Sequence, residues 1–162
     1  MRLASDDGAV VELRPLRYQF GPAPEPRDWD ANWLVVAGQV ALPDGRSWAF
    51  TEPCLTTWEA RALGSWLRAA GDGDVAPTAF DGDEDDLSLA FTEPDLALSL
   101  ASRNVAVAVV RLHLSYGARP PWPSDPDGPG VVASFVELRL TPDALAAAVA
   151  SWDHELAPFP AR

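Results

Sequence analysis

Two segments of the chain have helical periodicity, and each begins with residues that cap a helix. Thr56 and Glu59 have the spacing of a capping box, in which each side chain accepts a main-chain hydrogen bond from the other residue. Gly71 is a typical residue for the end of this first helix. In the second helix, Thr141 precedes Pro142, a residue favoured at the first helical position. The apolar stripes are Trp58, Ala62, Leu63, Trp66, Leu67 and Ala70 in the first helix, and Leu145, Val149, Trp152 and Leu156 in the second.

The remaining regular structure is predicted to be β-strand. Residues 9–20 form a strand interrupted at Pro15, which indicates an edge or a bulge. The turn at residues 43–46 separates two apolar segments and predicts a hairpin. The other predicted strands cover residues 32–42, 47–51, 87–91, 96–100, 105–116 and 131–140. These patterns predict an α+β fold within one globular domain of residues 1–162, with a single antiparallel β-sheet of about six to seven strands and two α-helices packed on one face.

The tetrapeptide Phe-Thr-Glu-Pro occurs twice, at residues 50–53 and 91–94. An internal duplication is one interpretation, and similar turn chemistry at two strand exits is the other. The similarity does not extend beyond the four residues, since one copy precedes a helix and the other a strand. We therefore favour the second interpretation.

The charge of the chain excludes several classes of function. Its 24 Asp and Glu residues face 12 Lys and Arg, which gives a net charge of −12, and none of the basic residues is lysine. A P-loop and a pyridoxal-phosphate enzyme both need a lysine, so neither is possible. A surface this acidic repels nucleic acid and anionic membranes. With no secretory signal pattern and with one cysteine, the predicted location is the cytoplasm.

A dense run of carboxylates is the first candidate site. It consists of Asp81, Asp83, Glu84, Asp85 and Asp86. The alternate spacing is similar to a calcium loop, but position 6 is Asp86 rather than Gly, and position 12 is Thr92 rather than Glu. A solvated loop is the first interpretation of this run, and if it binds a partner we expect a basic protein surface rather than a metal. Trp122 lies among prolines in the loop of residues 117–130 and is predicted to be a second, exposed contact with that partner.

Arg111, His113 and Ser115 alternate along one strand and are predicted to share one face of the sheet. If they line a pocket, the chain is instead a small-ligand-binding or enzymatic domain. Cys54 is predicted to be a small buried apolar residue, and His154 to stabilise the end of the second helix. No catalytic motif is present, so we expect no enzyme activity, no metal and no cofactor. A protein-interaction adaptor that docks through Trp122 is the third alternative.

Several of these segments together resemble the WapI-type family of bacterial immunity proteins. The similar residues are 30–36 (Asp-Ala-Asn-Trp-Leu-Val-Val), 45–48 (Gly-Arg-Ser-Trp), 52–59 (Glu-Pro-Cys-Leu-Thr-Thr-Trp-Glu), 66–67 (Trp-Leu), 91–96 (Phe-Thr-Glu-Pro-Asp-Leu) and 120–122 (Pro-Pro-Trp). The resemblance implies that the chain binds a cognate polymorphic toxin domain inside the producing cell and neutralises it. The type case is a toxin that cleaves tRNA. No site residue is implied, because the shared positions are mostly structural.

Overall fold

In the part of the chain that the structure describes, the β-structure consists of two antiparallel sheets of four strands each rather than one larger sheet. The computed structural model describes residues 1–21, 29–79, 86–122 and 134–162. The first sheet contains β1 (Arg2–Ala4), β2 (Val10–Tyr18), β3 (Trp33–Ala41) and β4 (Ser47–Thr56), and α1 (Thr57–Asp72) follows it. The second sheet contains β5 (Leu89–Ala90), β6 (Leu96–Arg103), β7 (Ala108–Leu114) and β8 (Phe135–Leu140), and α2 (Pro142–Leu156) follows it.

The prediction of a single sheet of six to seven strands was therefore wrong, although the α+β class was right. Alternating apolar residues identify a strand but carry no information about which strands share a sheet. Here α1 leaves the edge strand β4, and the chain then begins a second sheet at β5. The short strand β1 was also missed, since three residues are too few for a visible alternation.

The two halves of the chain repeat one topology. In its described residues, each half is a meander of four antiparallel strands in sequential order, followed by one α-helix. The two Phe-Thr-Glu-Pro segments do not occupy equivalent places in this repeat: Phe50 lies inside β4, whereas Phe91 follows β5. The interpretation of both segments as strand exits was thus wrong for the first copy. Pro53 in that copy lies at a register shift opposite Val35, where its missing N–H is tolerated.

Local turn and bulge chemistry agrees with the predictions. The pairing of β2 with β3 shifts its register between Pro15 and Arg17, which confirms the predicted bulge. β1 pairs with β2 at Val10–Glu12, so in the described residues the ladder pairs of the segment around Pro15 are with β3 alone. Both predicted alternatives, a bulge and a local edge, therefore apply at Pro15. The β3–β4 hairpin is also confirmed, and Gly45 in its turn has a φ of 87°, a conformation that glycine adopts without strain.

The capping box of α1 is confirmed in both directions. The main-chain N–H of Glu59 donates to Thr56 Oγ1 at 3.2 Å, and the N–H of Thr56 donates to Glu59 Oε2 at 2.8 Å. The helix ends two residues later than the predicted stop at Gly71, because Gly73 adopts the left-handed conformation (φ 94°) at the C-cap. Trp58 was predicted to belong to the buried stripe of α1. This prediction was wrong, because the Trp58 side chain is exposed.

Buried residues of both sheets and both helices form one hydrophobic cluster. Trp152 of α2 is fully buried in it, and its indole N–H donates to the carbonyl of Ala60 in α1 at 2.7 Å. The predicted stripe of α2 is buried at all four positions. The sheets contact each other where β8 meets the β1 end, since the N–H of Arg139 donates to Ser5 Oγ at 2.9 Å.

Candidate functional site

Only one member of the predicted acidic run can be placed. Asp81, Asp83, Glu84 and Asp85 lie outside the described residues. Asp86 is half-buried, and its carbonyl accepts a hydrogen bond from the hydroxyl of Thr78 at 3.1 Å. Its role in partner binding stays a prediction.

Trp122 lies against the β3–β4 hairpin and is half-buried. Its ring meets the ring of Trp48 edge to face, with centroids 5.1 Å apart. The guanidinium of Arg46 lies 4.7 Å from the Trp122 ring centroid, within the range of a cation–π contact. Trp48 in turn donates its indole N–H to the carbonyl of Ala118 at 2.9 Å. Much of the indole surface of Trp122 is therefore already engaged within the chain.

Arg111, His113 and Ser115 lie along one face of β7 and its extension, but two of the three are inaccessible. His113 and Ser115 are buried, and His113 Nε2 lies 2.9 Å from the hydroxyl of the fully buried Ser99. Arg111 donates to Glu137 Oε1 at 3.1 Å. Because no solute reaches the Ser99 hydroxyl in this arrangement, the serine–histidine pair contributes to the packing of the second sheet.

The remaining chemical candidates have structural positions. Cys54 is fully buried, and burial raises the pKa of its thiol, with the nearby carboxylate of Asp95 adding to the effect. A thiol of this kind is a poor nucleophile, in agreement with the predicted apolar role. His154 is exposed in the last turn of α2, where a basic side chain faces the negative end of the helix dipole.

A groove of about 410 Å³ lies where β3, β4 and the β5–β6 turn meet. It is lined by Gln19, Phe20, Asp30, Trp33, Glu52, Pro53, Glu93 and Asp95. Four of these eight side chains are carboxylates, and none of the described lining residues is Lys or Arg. Among the described residues, no arginine forms an ion pair with Glu52, Glu93 or Asp95. The groove is thus a site of concentrated negative potential.

Exposed aromatic side chains lie in the groove wall, or next in the chain to residues that line or contact the groove, or packed against such an aromatic. Trp29 and Trp58 are 51% and 37% exposed, and their rings lie against each other with centroids 5.2 Å apart. Phe20 in the groove wall is 49% exposed. Tyr116 is 57% exposed and precedes Gly117, whose Cα lies beside the Glu52 side chain. We call these four aromatics, together with Asp30, Glu52, Glu93 and Asp95, the acidic aromatic face.

Sequence reasoning missed the acidic aromatic face because its members come from five separate parts of the chain. The carboxylates at positions 30, 52, 93 and 95 are scattered, and no local run marks them. No local signal marked Trp58 either, because it follows the helical spacing of the predicted stripe and only the structure shows that it is exposed.

Glu59 connects the start of α1 to the β5–β6 turn, two segments that carry residues of the acidic aromatic face. Its Oε2 accepts from the N–H of Thr56, and its Oε1 accepts from the N–H of Thr92 at 2.7 Å, next to Glu93. Burial by itself raises the pKa of the Glu59 carboxyl, but the hydrogen bonds from Thr56 and Thr92 outweigh burial and hold the pKa below its ordinary value. The carboxylate form therefore stabilises the folded protein.

We expect Glu59→Gln to lower the free energy of unfolding by about 1 kcal/mol at neutral pH, because the amide replaces a charged acceptor of two main-chain N–H groups. A folded-state pKa below the ordinary value stabilises the protein above that value and loses its effect as the pH falls through the folded pKa. The difference between wild type and variant should therefore shrink in urea unfolding below pH 4.5. Glu93→Gln serves as the control and should change stability by less than about 0.5 kcal/mol. A difference for Glu59→Gln that stays constant down to pH 3 contradicts the assignment.

Two features are absent from the described residues. No group of three or more His, Cys, Asp or Glu side chains there has an arrangement that could hold a metal ion. None of the helices in this part of the chain has the length and apolar character needed to cross a bilayer.

The fold and the face define the class of the protein: an acidic α+β protein of two meander-and-helix halves, with a groove lined by carboxylate and aromatic side chains. The model of the Immunity protein WapI-like family matches residues 2–160 of the 162 residues. The chain belongs to this family, which confirms the resemblance predicted from the sequence. No curated protein matches the chain.

Proposed function

We propose that this chain is an immunity protein that binds a cognate polymorphic, contact-dependent toxin domain in the bacterial cytoplasm and thereby neutralises it. The observation that carries the proposal is the family match over residues 2–160. Such a match covers both sheets and both helices, so the assignment concerns the whole described fold and not one motif.

The proposed partner is a basic protein, with a nuclease as the specific candidate. Nucleases that bind RNA carry positive surfaces for phosphate, and a chain with a net charge of −12 attracts such a surface over a long range. Complementary charge raises the rate of encounter and disfavours acidic partners. The same charge supports the proposal that neither nucleic acid nor a membrane is a partner.

We propose that inhibition requires binding alone, without catalysis by this chain. The buried Ser99–His113 pair and the buried Cys54 support this view, because a substrate cannot reach their reactive atoms. The alternative of a ligand pocket at Arg111, His113 and Ser115 has no support from an open cleft, since His113 and Ser115 are at most 2% exposed.

The proposal is tested by co-expression with the toxin domain encoded next to this chain. We expect the toxin alone to stop growth, and the toxin together with this chain to allow growth and to purify as a complex. An unrelated toxin of similar potency serves as the control and should remain lethal. Continued killing by the neighbouring toxin, with no complex recovered, would falsify the proposal.

A further inference from the structure

The aromatic side chains of the acidic aromatic face are more exposed than side chains of the hydrophobic core. In the described part of the chain, four of the seven large apolar side chains with high exposure belong to this face: Phe20, Trp29, Trp58 and Tyr116. Buried tryptophan and tyrosine side chains at the centre of an interface contribute more binding energy than most other residues. A cluster of them at one site on a monomer indicates a docking surface.

The carboxylates of the same face determine what kind of surface can dock there. Glu52, Glu93 and Asp95 line one groove with Phe20, so a partner that covers the aromatic rings also enters this negative potential. Burying an acidic or apolar partner against these carboxylates leaves their charge uncompensated, which is unfavourable. An arginine-rich partner satisfies both features, since a guanidinium pairs with carboxylates and also stacks on an indole.

Internal hydrogen bonds hold the face in one arrangement before any partner arrives. Asp95 Oδ1 accepts from the N–H of Gly117 at 2.9 Å, which fixes the β5–β6 turn against the segment of Tyr116. The fully buried Asn32 accepts from the hydroxyl of Thr57 at 2.9 Å and so fixes the start of α1 beside the Trp29 turn. A preorganised surface loses little conformational entropy on binding.

Tyr116 adds a sign of backbone strain at this face. Its φ of 44° lies in the left-handed region, and it is the one residue other than glycine with a positive φ among the described residues. Strain of this kind persists where the surroundings hold the residue in place, and it often accompanies binding sites. Tyr116 is 57% exposed, and the next residue, Gly117, lies beside the groove residue Glu52.

We propose that the acidic aromatic face is the surface through which this chain binds its toxin, and that the toxin presents an arginine-rich basic patch to it. The inference rests on the proposed function and adds the contact surface and the chemistry of the contact. It differs from the site predicted by sequence, which combined the carboxylates of residues 81–86 with Trp122. Trp122 already packs on Trp48 and under Arg46, so it offers a partner less free indole surface than Trp29 or Trp58.

The test measures binding kinetics between variants of the full chain and the separately purified toxin domain encoded beside it. The variant Trp29→Ala/Trp58→Ala should raise Kd by about 30-fold or more, mainly through faster dissociation. The variant Glu52→Gln/Glu93→Gln should slow association by on the order of three- to tenfold at low salt. Both pairs are exposed or half-exposed, and circular dichroism with thermal unfolding verifies that the variants fold.

Two matched controls separate the face from general effects of aromatic surface or charge. Trp122→Ala removes an indole elsewhere, and Asp72→Asn/Asp74→Asn removes two exposed charges elsewhere; both should leave Kd within about threefold. If the wild-type chain binds but the variants of the face bind equally well, or if Trp122→Ala weakens binding more than they do, the inference is overturned. If the wild-type chain does not bind at all, the proposed function itself fails, and this inference fails with it.

Discussion

Trp152→Ala should lower the free energy of unfolding by about 3–5 kcal/mol, the range found when a large buried aromatic side chain is truncated. Trp152 is fully buried in the shared core, and its indole N–H donates to the carbonyl of Ala60 in the neighbouring helix. The truncation removes the packing between α1 and α2 together with this hydrogen bond. Since small proteins have a total stability of about 5–15 kcal/mol, the loss should be visible as a large shift of the urea midpoint.

The exposed Trp58 provides a control with the same chemical change. Trp58→Ala should change stability by less than about 1 kcal/mol, because its ring is exposed and contacts Trp29 at the surface. Trp152→Phe retains most of the side-chain volume, so its loss in free energy of unfolding should lie between those of Trp152→Ala and Trp58→Ala. This variant keeps the prediction measurable if Trp152→Ala does not fold. Equal midpoints for Trp152→Ala and Trp58→Ala would show that the two helices do not share the core described above.

Gly38→Ala should destabilise the first sheet by about 1–3 kcal/mol, the usual effect of overfilling a packed site. Gly38 in β3 lies directly opposite Phe50 in β4, and the phenyl ring covers the glycine. A Cβ at this position would overlap Cε1 and Cζ of the ring. The ring is buried and cannot rotate away without leaving the core.

A double-mutant cycle tests whether overlap with the Phe50 ring is the reason that Gly38→Ala destabilises the protein. In the background of Phe50→Ala, where the ring is absent, Gly38→Ala should be neutral or slightly stabilising, because alanine has less backbone entropy to lose than glycine. The free energies of unfolding of the four proteins give the coupling between the two positions. If Gly38→Ala costs as much with Phe50→Ala as without it, contact with the ring is not the reason for the glycine.

Local chemistry could be predicted from the sequence because it depends on neighbouring residues. The capping box of Thr56 and Glu59, the turn at Gly45 and the bulge at Pro15 each involve a few consecutive positions, and the structure contains all three. The apolar stripe of α2 was predictable for the same reason, since 3.6-residue spacing is a property of one segment.

Long-range pairing could not be predicted in this way. The division into two sheets depends on where the chain goes after α1, and the strand patterns on either side of the helix look alike. The assignment of Trp58 to the core failed because helical spacing alone does not distinguish the buried edge of a stripe from the exposed residue beside it. The decisive contact of Trp58 is with Trp29, which precedes β3 in the sequence.

The same limit applies to the acidic aromatic face. Composition drew attention to the dense run at residues 81–86, where carboxylates are adjacent in sequence. The groove instead collects single carboxylates such as Asp30, Glu52 and Asp95, which become neighbours only when the two meanders pack together. Glu59 shows how closely fold and face are connected, because one side chain both caps α1 and holds the turn that carries Glu93.

A titration of toxin activity shows whether this chain neutralises its toxin by binding it. The purified cognate toxin domain is assayed on its own substrate while the chain is added in steps. We predict a linear loss of activity that ends near one equivalent, with weaker inhibition as salt screens the charges. Full toxin activity in the presence of a large excess of the folded chain would show that the chain does not inhibit this toxin.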